Sequence, residues 1–466
     1  MSILSVIQRW FGMVFQKKAK EEFNVRPATS EVMETVAERC GRIYSGHPDW
    51  LDADDHIKTI NFAKTICSEV AALTTLAIRI QIGGSARADW LQHCIDDIYY
   101  LFRHWCEYAD AYGTAILKPN GEGVDLVLPG DFIVTAKDGE KITGAVFIDR
   151  ASDEKYFYTR MEYHRFEGDT YLVTNKCYRG TSEDDTSKEV DIKTTPWSSL
   201  EEEIAVAGLD KPLFAVLRTP KANNVEVGSA MGLPVFYDAL SELEDLDIAY
   251  SRNAKEIKDS KRTVLLDSDR LLPSGGKVAN TPAGMQRAVE EMGLPDYVKN
   301  VYGDGRETFY QEINPTLNTE QRLTGFNALL SQIGFKCGFS DGYFVFDEKT
   351  GMITATQVES DDRRTIQSIK DHRDKLQTCI DGLVYALNAF ADLYGLAPQG
   401  TYEIVYDFGD IVYNREDDKV RWWGYVQAGK VPSWYYFVKF EGFTEEEAKA
   451  LTNDETLQAP ALFGEG

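Results

Sequence analysis

The chain has 466 residues, a formal net charge of −25, 43% hydrophobic residues and 12% aromatic residues. That apolar share supports a substantial core and argues against a disordered polymer, while the acidic balance argues against tight wrapping of nucleic acid, which Lys and Arg would have to grip. Seven scattered cysteines (40, 67, 94, 106, 177, 337 and 379) without a CxxC argue against a disulfide framework, and no apolar run approaches the ~20 residues of a membrane span.

Near the start, Ile3, Leu4, Ile7, Trp10, Phe11, Val14 and Phe15 follow helical spacing, with Lys17, Lys18 and Lys20 after them. A secretion signal carries its charge first, so the pattern predicts a docking helix, with an interfacial membrane helix as the alternative. From about Ser30 to Cys106 the chain reads mostly helical; in Thr59–Leu76 the residues Ile60, Phe62, Ala63, Ile66, Cys67, Val70 and Leu73 form one stripe. From Gly113 to about Tyr178 the period falls to two. Short strands at Ala115–Lys118, Val124–Leu128, Ile142–Ile148 and Tyr171–Thr174, punctuated by Pro119-Asn-Gly and Asp138-Gly, predict an antiparallel meander. The acidic stretch Ser182–Asp185 reads as a loop between hairpins.

After Pro220 the helices lengthen. Pro234 suits a first helical position, and Phe236, Ala239, Leu240, Leu243, Leu246, Ala249, Tyr250, Ala254 and Ile257 continue a seam to Lys258. Acidic Glu242, Glu244, Asp245 and Asp247 crowd its first half, and Arg252, Lys255, Lys258, Lys261 and Arg262 its end, which complements the helix dipole. Thr263–Leu266 predicts a strand, Pro273–Gly276 a turn, Pro282–Met292 a short helix and Tyr310–Ile313 a returning strand. A second helix opens at Asn318, with Gln321 as a capping partner, and runs to Gly338. Gly338–Asp347 is glycine-punctuated and extended, and a long helix follows from about Ser360 to Leu393, stopped by Gly395 and Pro398. The tail, Val412–Asn453, predicts a strand leading into a helix and then short helices, with a capping box at Thr444. A small module between two helices able to lie side by side is the layout of a stalk rather than of an enzyme core.

Catalytic and cofactor motifs are missing. Gly275-Gly-Lys277 lacks phosphate-loop spacing, no GxSxG occurs, and Asp267-Ser-Asp269 lacks the remaining ligands of a calcium loop. His93, Cys94, His104 and Cys106 cluster, but at spacings that fit no zinc template. Adjacent acids such as Asp361/Asp362 and Glu290/Glu291 point different ways on a helix and predict a solvated face. No cofactor and no enzymatic activity are expected.

The order of many weak motifs carries more signal. Ile43-Tyr-Ser-Gly-His-Pro-Asp-Trp-Leu51, Ile60–Glu69, Phe214–Asn224 ending in Thr219-Pro-Lys-Ala-Asn-Asn, and Gly228–Tyr250 follow one another along the chain, and Gly338-Phe-Ser-Asp-Gly342 with Thr354-Ala-Thr-Gln-Val-Glu-Ser360 is the most specific pair. Over nearly its whole length the chain resembles portal proteins of siphovirus-type phages of Gram-positive bacteria. The resemblance implies an α+β portal fold: an N-terminal arm at 1–29, a wing of helices and β meander at 30–225, and stem helices at 226–262 and 317–337 around a mixed clip at 263–316. A tunnel loop would follow at 338–358, then a long helix at 359–399 and a helical crown with the tail at 400–466.

It implies a ring, dodecameric in virions, at the capsid vertex after assembly in the host cytoplasm. Double-stranded DNA would pass through it without sequence preference during packaging and ejection. Its partners would be further copies of itself, the terminase that hydrolyses ATP, the major capsid or scaffold protein and the head–tail connector, with no membrane. Twelve copies at −25 each would carry about −300, a lining that repels DNA and keeps it mobile. Lys336, Asp341, Tyr343, Phe344, Lys349 and Thr350 are the expected channel residues. Glu242, Asp245, Arg252, Lys255 and Lys258 are expected to meet neighbouring stems, and Arg270, Lys277 and Lys299 to dock motor and connector. The alternative functions are an acidic, aromatic-rich carbohydrate-active hydrolase and a membrane-surface scaffold.

Overall fold

The structure, a computed structural model, describes residues 17–51, 57–121, 123–182, 185–260, 263–267, 298–301, 310–313, 318–345, 363–409, 415–427, 430, 432–441, 443 and 445–452. Helices and mostly antiparallel sheets alternate in blocks along it, which is the α+β class. The chain divides into one unit of Met1–Thr350 with Asp361–Phe408 and a second of Gly351–Ser360 with Gly409–Gly466.

In the first unit a short helix, α1 (17–23), rests on a sheet through Ala19 and Phe23, which pack with Ile133, Val146, Ile148, Met161 and Tyr178. The sequence puts a docking helix at this end; its apolar positions 3–15 lie outside the described residues. Helices α2 (Glu31–Tyr44), α3 (Phe62–Thr74), α4 (Ala86–Ile98) and α5 (Phe102–Tyr112) follow, with β1 (Ile78–Gly83) between α3 and α4. Their three-and-four apolar spacing gives each one buried stripe: Ala63, Ile66, Cys67 and Val70 of α3 are buried as the sequence predicts.

Strands β2 (Thr114–Pro119), β3 (Val124–Val127), β4 (Phe132–Asp138), β5 (Lys141–Ser152), β6 (Phe157–Glu167), β7 (Thr170–Gly180), β8 (Lys188–Val190), β9 (Glu203–Ala207) and β10 (Ala215–Arg218) come next. The expected single meander is two sheets. β4 to β7 form an antiparallel meander, and β8 and β9 share the free edge of β7. β2 and β3 leave it and join β10 instead, because β2, buried along its whole length, needs cover on both faces. The central core lies there: Ala115 and Leu117 of β2 and Ala215 and Leu217 of β10 pack against α4, α5 and the long helix described below.

The helix expected from Pro234 starts later. Pro234 opens a 3-10 turn at Tyr237–Ala239, and α6 runs Leu240–Asp259. Strands β11 (Thr263–Asp267), β12 (Val298–Val301) and β13 (Tyr310–Ile313) follow. β13 returns antiparallel to β11 as predicted; β12, which the sequence did not disclose, pairs parallel on the other side. The turn at 273–276 and the helix at 282–292 lie outside the described residues. α7 (Thr319–Lys336) has Asn318 at its N-cap, but the Asn318 side chain makes no capping bond, so the expected pair with Gln321 does not form.

The long helix, α8 (Arg363–Tyr394), is 32 residues, about 48 Å at 1.5 Å per residue. It buries Leu376, Ile380, Leu383, Val384 and Leu387 in the core and draws so close to β10 that a Cβ on Gly382 would touch Ala215. Two buried arginines tie it down. Arg373 donates to the carbonyls of Leu73, Thr74 and Leu76, capping the C-terminus of α3. Arg87, 1% exposed, donates to Asn388, Asp392, Ala397 and Pro398 at the far end. β14 (Glu403–Phe408) pairs with β1. That pairing places 403–408 in the first unit, and the second resumes at Gly409. In the second unit, α9 (Arg415–Gln427), α10 (Ser433–Tyr436) and the turn after it pack aromatic rings, with Trp422 5.6 Å from Tyr435 and Tyr436 5.1 Å from Phe440, and α11 (Glu445–Thr452) sets Lys449 over the Trp434 ring. The capping box at Thr444 lies outside the described residues.

Candidate functional site

α6 and α7 form an antiparallel hairpin closed by charge at both ends. Lys336 at the end of α7 donates to Glu242 Oε1 near the start of α6 at 2.6 Å, and Gln332 reaches the same oxygen at 3.2 Å. At the other end Arg322 pairs with Glu256. The β11–β13 sheet sits in the chain between the two helices, so the hairpin carries a module at its tip, the layout that the sequence predicts.

The hairpin base is held by residues from distant segments. The buried Asp247 carboxylate accepts from Trp50 Nε1 at 2.9 Å and from the Ile60 amide at 3.0 Å. Lys221 Nζ donates to the Lys336 carbonyl at 2.6 Å, the Val235 carbonyl and Asp238. Trp50, Ile60 and Lys221 belong to the quoted stretches 43–51, 60–69 and 214–224, so those motifs converge on one joint.

From Lys336 the chain turns through Gly338, whose φ of +95° suits glycine; a Cβ there would lie 2.5 Å from Ser368 Oγ. Ser340 and Thr365 then exchange hydrogen bonds: the Ser340 amide donates to Thr365 Oγ1 at 2.8 Å and the Thr365 amide to Ser340 Oγ at 3.3 Å. Arg364 donates to the Phe335 carbonyl at 2.9 Å and lies 3.8 Å over the Phe335 ring. Chain entering and leaving the expected tunnel segment is thereby clamped to the first turn of α8.

The expected channel residues divide accordingly. Lys336, one of the expected channel cations, pairs with Glu242, because the antiparallel pairing brings the two helix ends together. Asp341 accepts from Ser331 of α7. Tyr343 donates to Glu69 and packs tilted on Phe339 and edge-on against Phe344, and Phe344 meets Phe62 edge-on at 5.2 Å, so both rings pack within the chain. Lys349 and Thr350 lie outside the described residues. Among the stem residues, Glu242 is engaged inside the hairpin, while Asp245, Arg252, Lys255 and Lys258 are exposed and pair with no other described residue. Arg270 and Lys277 lie outside the described residues, and Lys299 sits on β12 opposite Leu265.

A second polar constellation escaped the sequence reading. Lys118 of β2, 2% exposed, reaches Asp149 at 3.2 Å and also Glu162; Arg160 donates to the same two carboxylates at 2.5 and 3.1 Å. Tyr171 O–H accepts from the Leu213 amide at 3.1 Å and lies 2.9 Å from His164 Nδ1, which leaves Nε2–H to face Glu162 Oε1 at 3.0 Å. Burial raises the Glu162 carboxyl, but Lys118, His164 and Arg160 outweigh that and hold it well below its usual range. Burial pushes His164 down, so it stays neutral. The signal was present: Arg160, Glu162 and His164 occupy one face of β6 at period two. With each carboxylate matched by a cation, this is a structural joint between the two sheets.

Among the described residues no three His, Cys, Asp or Glu side chains converge as metal ligands, and no helix is long and apolar enough to cross a membrane. His93 pairs with Asp97 rather than with a cysteine. No protein-family model matches the chain, and no curated protein matches it significantly.

Proposed function

We propose that the chain is one subunit of a phage portal ring, a passive conduit for double-stranded DNA into and out of the capsid. One observation carries this reading: a helical hairpin that pairs charges between its own helices and leaves one face of α6 whose charges pair with no other described residue. On α6 that face runs from Asp245 to Arg252, Lys255 and Lys258, with exposed Tyr250 and Ile257 beside them. Copies standing side by side in a ring would set the acidic half of one helix near the basic half of the next, with the apolar side chains between them. The β11–β13 module at the tip would serve as the clip, and the clamped segment after Gly338 as the tunnel loop. The terminase would supply ATP hydrolysis.

Native mass spectrometry of the full chain, with negative-stain imaging, tests the proposal. A closed ring of about a dozen copies with a central hole supports it. A monomer at every concentration and salt, still monomeric when co-expressed with capsid and scaffold proteins, overturns it.

A further inference from the structure

Where α3, α5, β10 and α8 meet, Thr74, Asp110, Arg218, His372 and Lys375 line a small pocket, partly open to solvent past Lys375, with a volume of about 10 Å³. That is room for one water-sized molecule. Its polar lining is incompletely used by the protein. Arg218, 7% exposed, gives Nη1 to Glu140 at 3.0 Å, while its Nε and Nη2 meet no acceptor among the described residues. The Thr74 hydroxyl, on a residue 2% exposed, also meets no partner there. His372 donates Nδ1–H to the Ser368 carbonyl at 2.8 Å, which aims Nε2 at Asp110 Oδ1, 3.4 Å away and long for a hydrogen bond. Leaving buried donors unmatched costs ~1–3 kcal/mol each.

We infer that this cavity is a built solvent site: one ordered water accepts from the Arg218 guanidinium edge and the Thr74 hydroxyl and donates to the Asp110 carboxylate. Three such bonds are the usual complement of a buried water. An anion fits less well. Arg218 is already countered by Glu140 and His372 by Asp110, and Lys375 is half-exposed, so no buried positive charge is left over. The water completes a joint of four elements, one of them the long helix, and it is independent of the conduit proposal.

Density for the full chain at a resolution that shows waters decides the matter, alongside Thr74→Val, which removes the hydroxyl at nearly constant shape. The site predicts a peak about 2.7–3.2 Å from Arg218 and from Asp110. It also predicts a Tm lowered by ~2 °C in T74V. A cavity without density overturns it, as does a T74V chain that melts higher, the result expected of a dry, unmatched hydroxyl. An anomalous peak at the site after a bromide soak overturns it in favour of an anion.

Discussion

Lys118 shows how much one buried side chain can govern. An ammonium 2% exposed is tolerable only because Asp149 and Glu162 surround it, and they in turn rely on Arg160. Removing one partner strands the others, so Glu162→Gln is expected to lower unfolding free energy by ~3–5 kcal/mol in urea titrations. Replacing Lys118 and Glu162 together by apolar residues should cost much less. The same cluster contributes to the acid limb of stability. An unfolded chain protonates His at about 6.5 and Glu at about 4.5, whereas folding holds His164 and Glu162 below those values. Stability from both is therefore present above the ordinary values and is lost as pH falls, first from about 6.5 and further from about 4.5. His372 has the opposite sign. Burial lowers it, but Asp110, the Ser368 carbonyl and Asp371 together outweigh burial and raise it above 6.5, so its contribution is full below 6.5 and is lost as pH rises through the folded value. Urea midpoints across pH should peak between the two limbs, and His372→Gln should flatten the fall that sets in above about 6.5.

At the scale of elements, the sequence read helix and strand type well and their ends less well. The α6 seam was visible, but Pro234 begins a 3-10 turn rather than the helix, since local propensity marks a boundary without choosing between tight and regular turns. Asn318 makes no capping bond although the residue type and spacing permit one. The joint after α7 rests on Gly338. Its φ of +95° and its approach to Ser368 predict that Gly338→Ala destabilises by ~1–3 kcal/mol. Ser368→Ala in that background should recover the steric part, and limited proteolysis near 340–365 should report the loosened clamp.

For the whole molecule, the exposed charges of α6 bear on assembly. If they face a neighbouring copy, reversing Arg252, Lys255 and Lys258 to Glu should shift a ring toward smaller species in native mass spectra. Raising salt should weaken the wild-type ring as well, because exposed pairs are screened. An unchanged ring would assign assembly to other surfaces. The triple change touches residues that pair with no other described residue, so monomer stability should move by under ~1 kcal/mol.

The sequence by itself determined the main helices, the excursion between α6 and α7, and the period-two block that became sheet, but not β1, β12 or β14. Those properties follow from spacing along a few turns of chain, which decides the face each side chain shows. Only the tertiary structure decided that β2 leaves the meander for β10, that Lys336 spends its charge on Glu242, and that Arg87 anchors the end of α8. Lys118 and Glu162 stand 44 residues apart and Arg87 and Asp392 305 apart. No local pattern encodes such partners; they are chosen by which elements the core brings together, and by the cost of leaving a buried charge without one.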